Sequence, residues 1–130
     1  MNTDQNELDP AINRQTEKII GAAFEVSNLL GAGFLEKVYE NALVWELRQR
    51  GHSVEQQEPT PVVYKGQNVG EYFADLIVDG AVICELKCCD RIGDAQLGQC
   101  INYLKATGLK ICLLLNFQRS KVEIKRVIRT

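Results

Sequence analysis

The run from Leu109 to Phe117 is almost continuously apolar, broken inside only by Lys110 and Asn116. A half-exposed strand alternates polar and apolar side chains, so a run this short and this apolar reads as a strand buried on both faces. Such a strand needs a layer of helix above and below it. The preceding segment, from about Asp94 to Thr107, has helical spacing, with Ala95, Cys100, Ile101, Tyr103 and Leu104 towards its buried side and Gly108 ending it. A helix of that length can carry the chain across a sheet and return it parallel to the strand it left. After the run, Lys121–Ile128 alternates, with Val122, Ile124 and either Val127 or Ile128 inward, as an edge strand would.

The first half fits the same plan. Asp9-Pro10 has the form of an N-cap followed by proline at the first helical position. Ile19, Ile20, Ala23, Val26, Leu29 and Leu30 recur at helical spacing, and Gly31-Ala32-Gly33 breaks the helix. A second helix is predicted from about Leu35 to Arg50, with Leu35, Val38, Tyr39, Ala42 and Leu43 as its apolar stripe and Glu36 and Glu40 flanking it. Beyond Gly51 come a short strand at Ser53–Gln57, a hairpin of Pro61–Tyr64 and Gln67–Val69 about Lys65-Gly66, and another of Glu71–Val78 and Ala81–Lys87 about Asp79-Gly80. The fold class is α/β, a mixed β-sheet flanked by helices in the order α-α-β-β-β-β-α-β-β. At 130 residues the chain is expected to form a single domain, with residues 1–8 a frayed polar tail rather than a signal peptide.

Composition narrows the setting. No apolar run approaches the roughly 20 residues of a membrane span, so no membrane partner is expected. Five cysteines, an odd number, point to a reducing, cytoplasmic compartment. Cys84, Cys100 and Cys112 read as core residues, and the spacing of Cys84, Cys88 and Cys89 fits no common zinc pattern. Charge is unevenly divided: residues 1–85 carry 6 Lys/Arg against 14 Asp/Glu, and residues 86–130 carry 9 against 3. Lys105, Lys110, Arg119, Lys121, Lys125, Arg126 and Arg129 are candidate phosphate contacts, or they simply solvate a helix and two strands.

Within the second hairpin, Asp75, Glu85 and Lys87 place three charges where a sheet would otherwise bury apolar side chains. Two carboxylates on neighbouring strands can hold a hard divalent cation, and a lysine beside them suits attack of water on a phosphodiester. Glu85 and Lys87, two apart, share a face, while Cys84 and Leu86 point to the other. Asp75 joins them only if the turn is loose. A two-residue turn would pair Val78 with Ala81 and put Asp75 and Glu85 on opposite faces, so a three-residue loop or a bulge is predicted. The Leu86 carbonyl is a further candidate ligand. The alternative is a solvated hairpin in which Lys87 forms a salt bridge to Asp75 or Glu85.

Asp75 followed by Glu85-Leu86-Lys87 resembles the core motif of the PD-(D/E)XK nuclease superfamily, with Ala74 where the motif has proline. Gly33-Phe34-Leu35-Glu36-Lys37-Val38-Tyr39 reads G-x-x-E-x-x-Y and is similar to the signature of the GxxExxY protein family. Val63-Tyr64-Lys65-Gly66, Tyr103–Leu109 and Leu115-Asn116-Phe117 add to that likeness, in order, over about residues 12–128. Two departures are Ala32, where the family has proline, and Ser27, where its members commonly carry histidine. The resemblance implies a Mg²⁺- or Mn²⁺-dependent nuclease acting on nucleic acid, DNA in the first instance. It implies Asp75, Glu85 and Glu36 as metal ligands, with Lys87 completing the catalytic set. Gln99 and Tyr103 resemble the Q-x-x-x-Y accessory motif of RecB-like nucleases, and with Lys105 they are candidate nucleic-acid contacts. Tyr39, on the apolar stripe, reads as a core aromatic with a satisfied hydroxyl, and His52, after a helix-stopping glycine, as a surface residue. Two other readings are a catalytically silent nucleic-acid-binding module and a homodimeric or partner-binding domain, which an acidic pI near 5.4 favours.

Overall fold

The Asp9 side chain accepts a hydrogen bond from the Ala11 N–H at 2.8 Å, and Pro10 opens helix α1 (Pro10–Leu30), as the Asp-Pro pair predicts. The computed structural model describes residues 9–129, so the expected tail at 1–8 lies outside the described residues. Helix α2 (Glu36–Gln49) follows, then strands β1 (Val54–Tyr64), β2 (Gln67–Val78) and β3 (Val82–Lys87). Helix α3 (Asp94–Thr107) leads into β4 (Ile111–Asn116) and β5 (Glu123–Ile128).

The five strands form one mixed sheet in the order β1-β2-β3-β4-β5. All neighbours are antiparallel except β3 and β4, which the α3 crossover makes parallel. Every residue of β4 is buried and β5 is an edge, as the sequence patterns require. Helices α1 and α2 cover one face, against Leu76, Val78, Cys84, Leu86, Leu113 and Leu115. Helix α3 covers the other, where Cys100 and Leu104 meet Ile83, Cys112 and Leu114.

Two local expectations shift. The segments read as separate strands before and after Pro59 are one continuous β1, and those about Gly70 are one continuous β2, so the five segments form three strands before α3, one fewer than in the expected order. Pro59 and Pro61 fit because β1 is an edge strand, whose unpaired side needs no N–H donors. The buried stripe of α2 is Tyr39, Glu40, Leu43, Val44 and Leu47, rotated from the expected one, and Leu35 is the residue preceding the helix and 80% exposed. On α3, Cys100 and Leu104 are buried, whereas Ile101 and Ala95 are exposed.

The β2–β3 connection decides the site. Val78 pairs with Val82, leaving Asp79-Gly80-Ala81 as a three-residue loop, with Asp79 and Gly80 in the left-handed region at φ 54° and 66°. Asp79 tolerates that backbone because its carboxylate accepts from the Ser53 N–H and the Gln15 amide, and His52 Nδ1 lies 2.7 Å away. His52 is thereby a partner of the turn, remote along β2 from Asp75. The register runs Leu76 opposite Cys84, so Asp75 comes level with Glu85.

Candidate active site

Between Ala74 and Leu76 the alternation of β2 slips. Leu76 and Val78 face α1 and α2, but Ala74 and Ile77, three apart, both face α3. The β1–β2 ladder also skips one position here, passing from the Gln56–Leu76 pair to the Glu58–Ala74 pair, and Gln57 holds φ at +55°. At this irregularity Asp75 leaves the β2–β3 ladder and joins β3 through its side chain instead. Its N–H donates to Glu85 Oε2 at 2.8 Å, and its own Oδ2 accepts from the Leu86 N–H at 2.9 Å. Two carboxylates are thus locked together by reciprocal side-chain-to-backbone hydrogen bonds where a ladder would have continued.

Burial makes that arrangement tense. Glu85 is 4% exposed, and burial first, then the Asp75 charge, push its carboxyl up to about 8. Burial raises Asp75 as well, opposed by the hydrogen bonds from Leu86 and Gln57. A pair of oxygen donors that cannot comfortably carry two negative charges is suited to a cation. The donor set fits a hard divalent ion, since both groups are carboxylates. Among the described residues no three Asp, Glu, His or Cys side chains form a ready cage.

Glu36 sits at the start of α2, exposed at the same end of the sheet. Burial and the Asp75 charge raise its carboxyl, while Lys87 and the Cys88 N–H pull it down. It is brought near the pair without joining it. Lys87 ends β3, half-buried, with Nζ 3.5 Å from Gln99 Oε1 on α3. Among the described residues it forms no ion pair, so the salt bridge that would have made it structural is not there.

Tyr103 stacks on Tyr72 of β2 with ring centroids 3.8 Å apart. Burial, then the Glu85 charge, push the Tyr103 hydroxyl up to about 12 and raise that of Tyr72 too. These rings form one wall of a groove of about 480 Å³ between the β1–β2 hairpin and α3, which Val62, Val63, Asn102 and Lys105 also line. Gln99 thus meets Lys87 and Tyr103 feels the charges of Glu85 and Asp75, whereas Lys105 is placed in the groove and not beside the carboxylates. The basic second half is not one surface: Arg126 donates to Thr16 of α1, and Arg129 caps the carbonyls of Gly108 and Leu109 at the end of α3.

The Tyr39 hydroxyl donates to the Gly31 carbonyl at 2.6 Å and accepts from the Phe34 N–H at 3.2 Å, while its ring stacks on Phe117 at 4.7 Å. Phe117 in turn donates its N–H to the Lys87 carbonyl. Gly33 takes φ 108°, open to glycine and strained for other residues, so that the turn can reach the hydroxyl. The G-x-x-E-x-x-Y pattern is thus a clamp: the tyrosine fixes the loop that delivers Glu36. Asn116, 2% exposed, similarly holds the segment after Lys87 by bonding both the N–H and the carbonyl of Cys89. Tyr39→Phe should cost about 1–2 kcal/mol in urea unfolding, with faster amide exchange at Gly33 and Phe34; unchanged exchange there would refute the clamp.

A family model for the PD-(D/E)XK nuclease superfamily matches residues 13–127. The chain belongs to the PD-(D/E)XK nuclease superfamily. Superfamily members generally use divalent metal ions. Among solved structures the fold is similar to an alkaline exonuclease (LHK-Exo) from Laribacter hongkongensis, with a TM-score of 0.50 and 12% identity, over 88% of this chain and 82% of that one. No curated protein sequence matches the chain.

The candidate residues that sequence reasoning passed over are Glu40 and Gln57. Glu40 is 2% exposed, and its carboxylate accepts from Lys37, Gln56 and Gln57. Burial raises its carboxyl, but the hydrogen bonds from Gln56, Lys37 and Gln57 outweigh that and hold it below the usual range. Its position one turn after Glu36 was the available signal. Nothing in the local sequence says that a glutamine 17 residues on will reach it.

Proposed function

We propose that this PD-(D/E)XK chain hydrolyses DNA phosphodiester bonds with Mg²⁺ or Mn²⁺, and that it is a member of the GxxExxY group. The observation that carries the reading is the placement of two carboxylates side by side, Glu85 buried and accepting from the Asp75 N–H, Asp75 half-buried and accepting from the Leu86 N–H, with Lys87, which forms no ion pair among the described residues, two residues beyond Glu85 on the same strand. Asp75 and Glu85 would hold the ion, with Glu36 from α2 as a third carboxylate. When bound, the ion supplies Lewis-acid neutralisation of phosphate charge and a more acidic water. Lys87 orients the attacking water and balances charge gathering on the phosphate. Its own face of β3 leads to Gln99, and the groove beyond, with Tyr103 for base stacking and Lys105 for a phosphate, accommodates the substrate strand. No described helix is long and apolar enough to cross a membrane, and all five cysteines are free thiols, in keeping with a cytoplasmic setting.

The test is labelled single- and double-stranded DNA incubated with Mg²⁺, Mn²⁺ or chelator. Metal-dependent cleavage that disappears in Asp75→Ala is the expected result. Salt-sensitive DNA binding without cleavage under any metal would instead establish the silent binding module.

One observation favours partner binding in addition. Residues 61–71 of the β1–β2 hairpin are all exposed, and Val63, Tyr64 and Val69 each show about 60% of their surface. Such an apolar arm suits a second copy or a protein partner, and light scattering distinguishes a homodimer from a monomer.

A further inference from the structure

We propose that Gln57 is a positioning residue for the metal site: its side-chain amide fixes Asp75 and is itself fixed by the buried carboxylate of Glu40. The inference rests on the nuclease reading above and extends the site to two residues that bind neither metal nor substrate. Gln57 Nε2 donates to Asp75 Oδ1 at 3.1 Å and to the Glu40 oxygens at 3.1 and 3.2 Å. A primary amide has two N–H groups, so one nitrogen can serve both carboxylates. Its orientation follows from its neighbours, since a carboxylate oxygen can only accept.

Three features separate this from a routine surface contact. Gln57 is a non-glycine residue at φ +55°, a conformation that costs energy and persists only where the surroundings over-determine it. Glu40 is buried on α2 and held by Lys37 and Gln56 as well, so the far end of the relay is anchored to the core helix layer. Gln56 already joins β1 to α2 through Glu40 and Asn41, so the Gln57–Asp75 bond is not needed to attach the strand. The bond completes a set. Asp75 Oδ2 is tied to the Leu86 N–H and Oδ1 to Gln57, which fixes the plane of the carboxylate and the direction of its remaining lone pairs.

The neutral amide also suits the task. A lysine or arginine at this place would hold Asp75 more strongly, but it would repel a divalent cation approaching the same oxygens. An amide orients the ligand without adding positive charge.

The experiment is Mn²⁺ titration of the metal-free full chain by calorimetry, with circular dichroism to confirm folding. Asp75→Ala should abolish binding. Gln57→Leu, which keeps the bulk and removes the donor, should weaken Mn²⁺ binding about 10-fold, and Gln57→Gly, which adopts the left-handed backbone freely, should weaken it comparably. Glu40→Gln should do the same, and Gln57→Leu combined with Glu40→Gln should add little, because both act through one bond. Wild-type affinity in a folded Gln57→Leu or Gln57→Gly protein, with Asp75→Ala inactive in binding, overturns the relay and leaves the nuclease reading standing. No binding of Mn²⁺ by the wild-type chain overturns both.

Discussion

Lys87→Ala is expected to lower the single-turnover rate of DNA cleavage about 10²–10³-fold, with folding stability changed by no more than about 0.5 kcal/mol. The two halves of that expectation have one origin. Lys87 is half-buried beside two carboxylates, yet its Nζ donates to the Gln99 amide oxygen at 3.5 Å, and no ion pair to a described residue is lost on its removal. A lysine that the fold does not use, placed on the face of Glu85, is available to the reaction. The loss should fall on the rate at saturating DNA rather than on affinity, since Lys105 and the Tyr72–Tyr103 wall remain. Lys87→Arg should recover part of the rate. Equal cleavage by wild type and Lys87→Ala would remove Lys87 from the mechanism.

In chelator, the protein should become less stable as pH rises from about 5.5 to 8. Glu85 has a carboxyl raised from an ordinary 4.5 to about 8. The folded state therefore holds a proton that the unfolded chain releases at much lower pH, and stability is lost progressively as that proton leaves. Asp75 is raised too and acts in the same direction, the two titrating as a pair. Together they are worth up to a few kcal/mol across the window. Glu40 and Asp79, whose carboxyls are lowered, contribute stability that is already complete above their ordinary values of 4.5 and 3.8, so they do not offset the trend. Urea unfolding at the two pH values measures it. Glu85→Gln should flatten the slope and exceed the wild type in stability at pH 8, and Mg²⁺ should restore much of the wild-type loss there. A metal-free wild type equally stable at both values would show that the pair is better solvated than its burial implies.

The parts of this molecule set by periodicity were legible without coordinates. Asp9-Pro10, the span Asp94–Thr107, the buried β4 and the parallel crossover follow from spacing and helix-end chemistry. The three-residue turn was legible for a different reason: Asp75 and Glu85 are worth placing together only if Val78 skips Ala81. What stayed hidden depends on contacts between distant segments. Leu35 has the right period for the α2 stripe but lies just before the first turn, where it faces solvent. Gln57 looked like the end of a short strand, and neither its left-handed backbone nor its reach to Glu40 and Asp75 has a local cause. Arg126 and Arg129 counted as free positive charge until α1 and the end of α3 were placed against them.

The loop Asp79-Gly80-Ala81 also carries a consequence for how such a chain tolerates change in length. Surface turns ordinarily absorb insertions and deletions at little cost. Here the turn sets the frame in which two distant side chains are read, four residues away on one strand and four on the other. Deleting one residue would leave every catalytic candidate in the gene and the hydrophobic pattern nearly intact, yet turn Glu85 away from Asp75. In this chain a length change in an exposed turn would be as damaging as a substitution in the site itself.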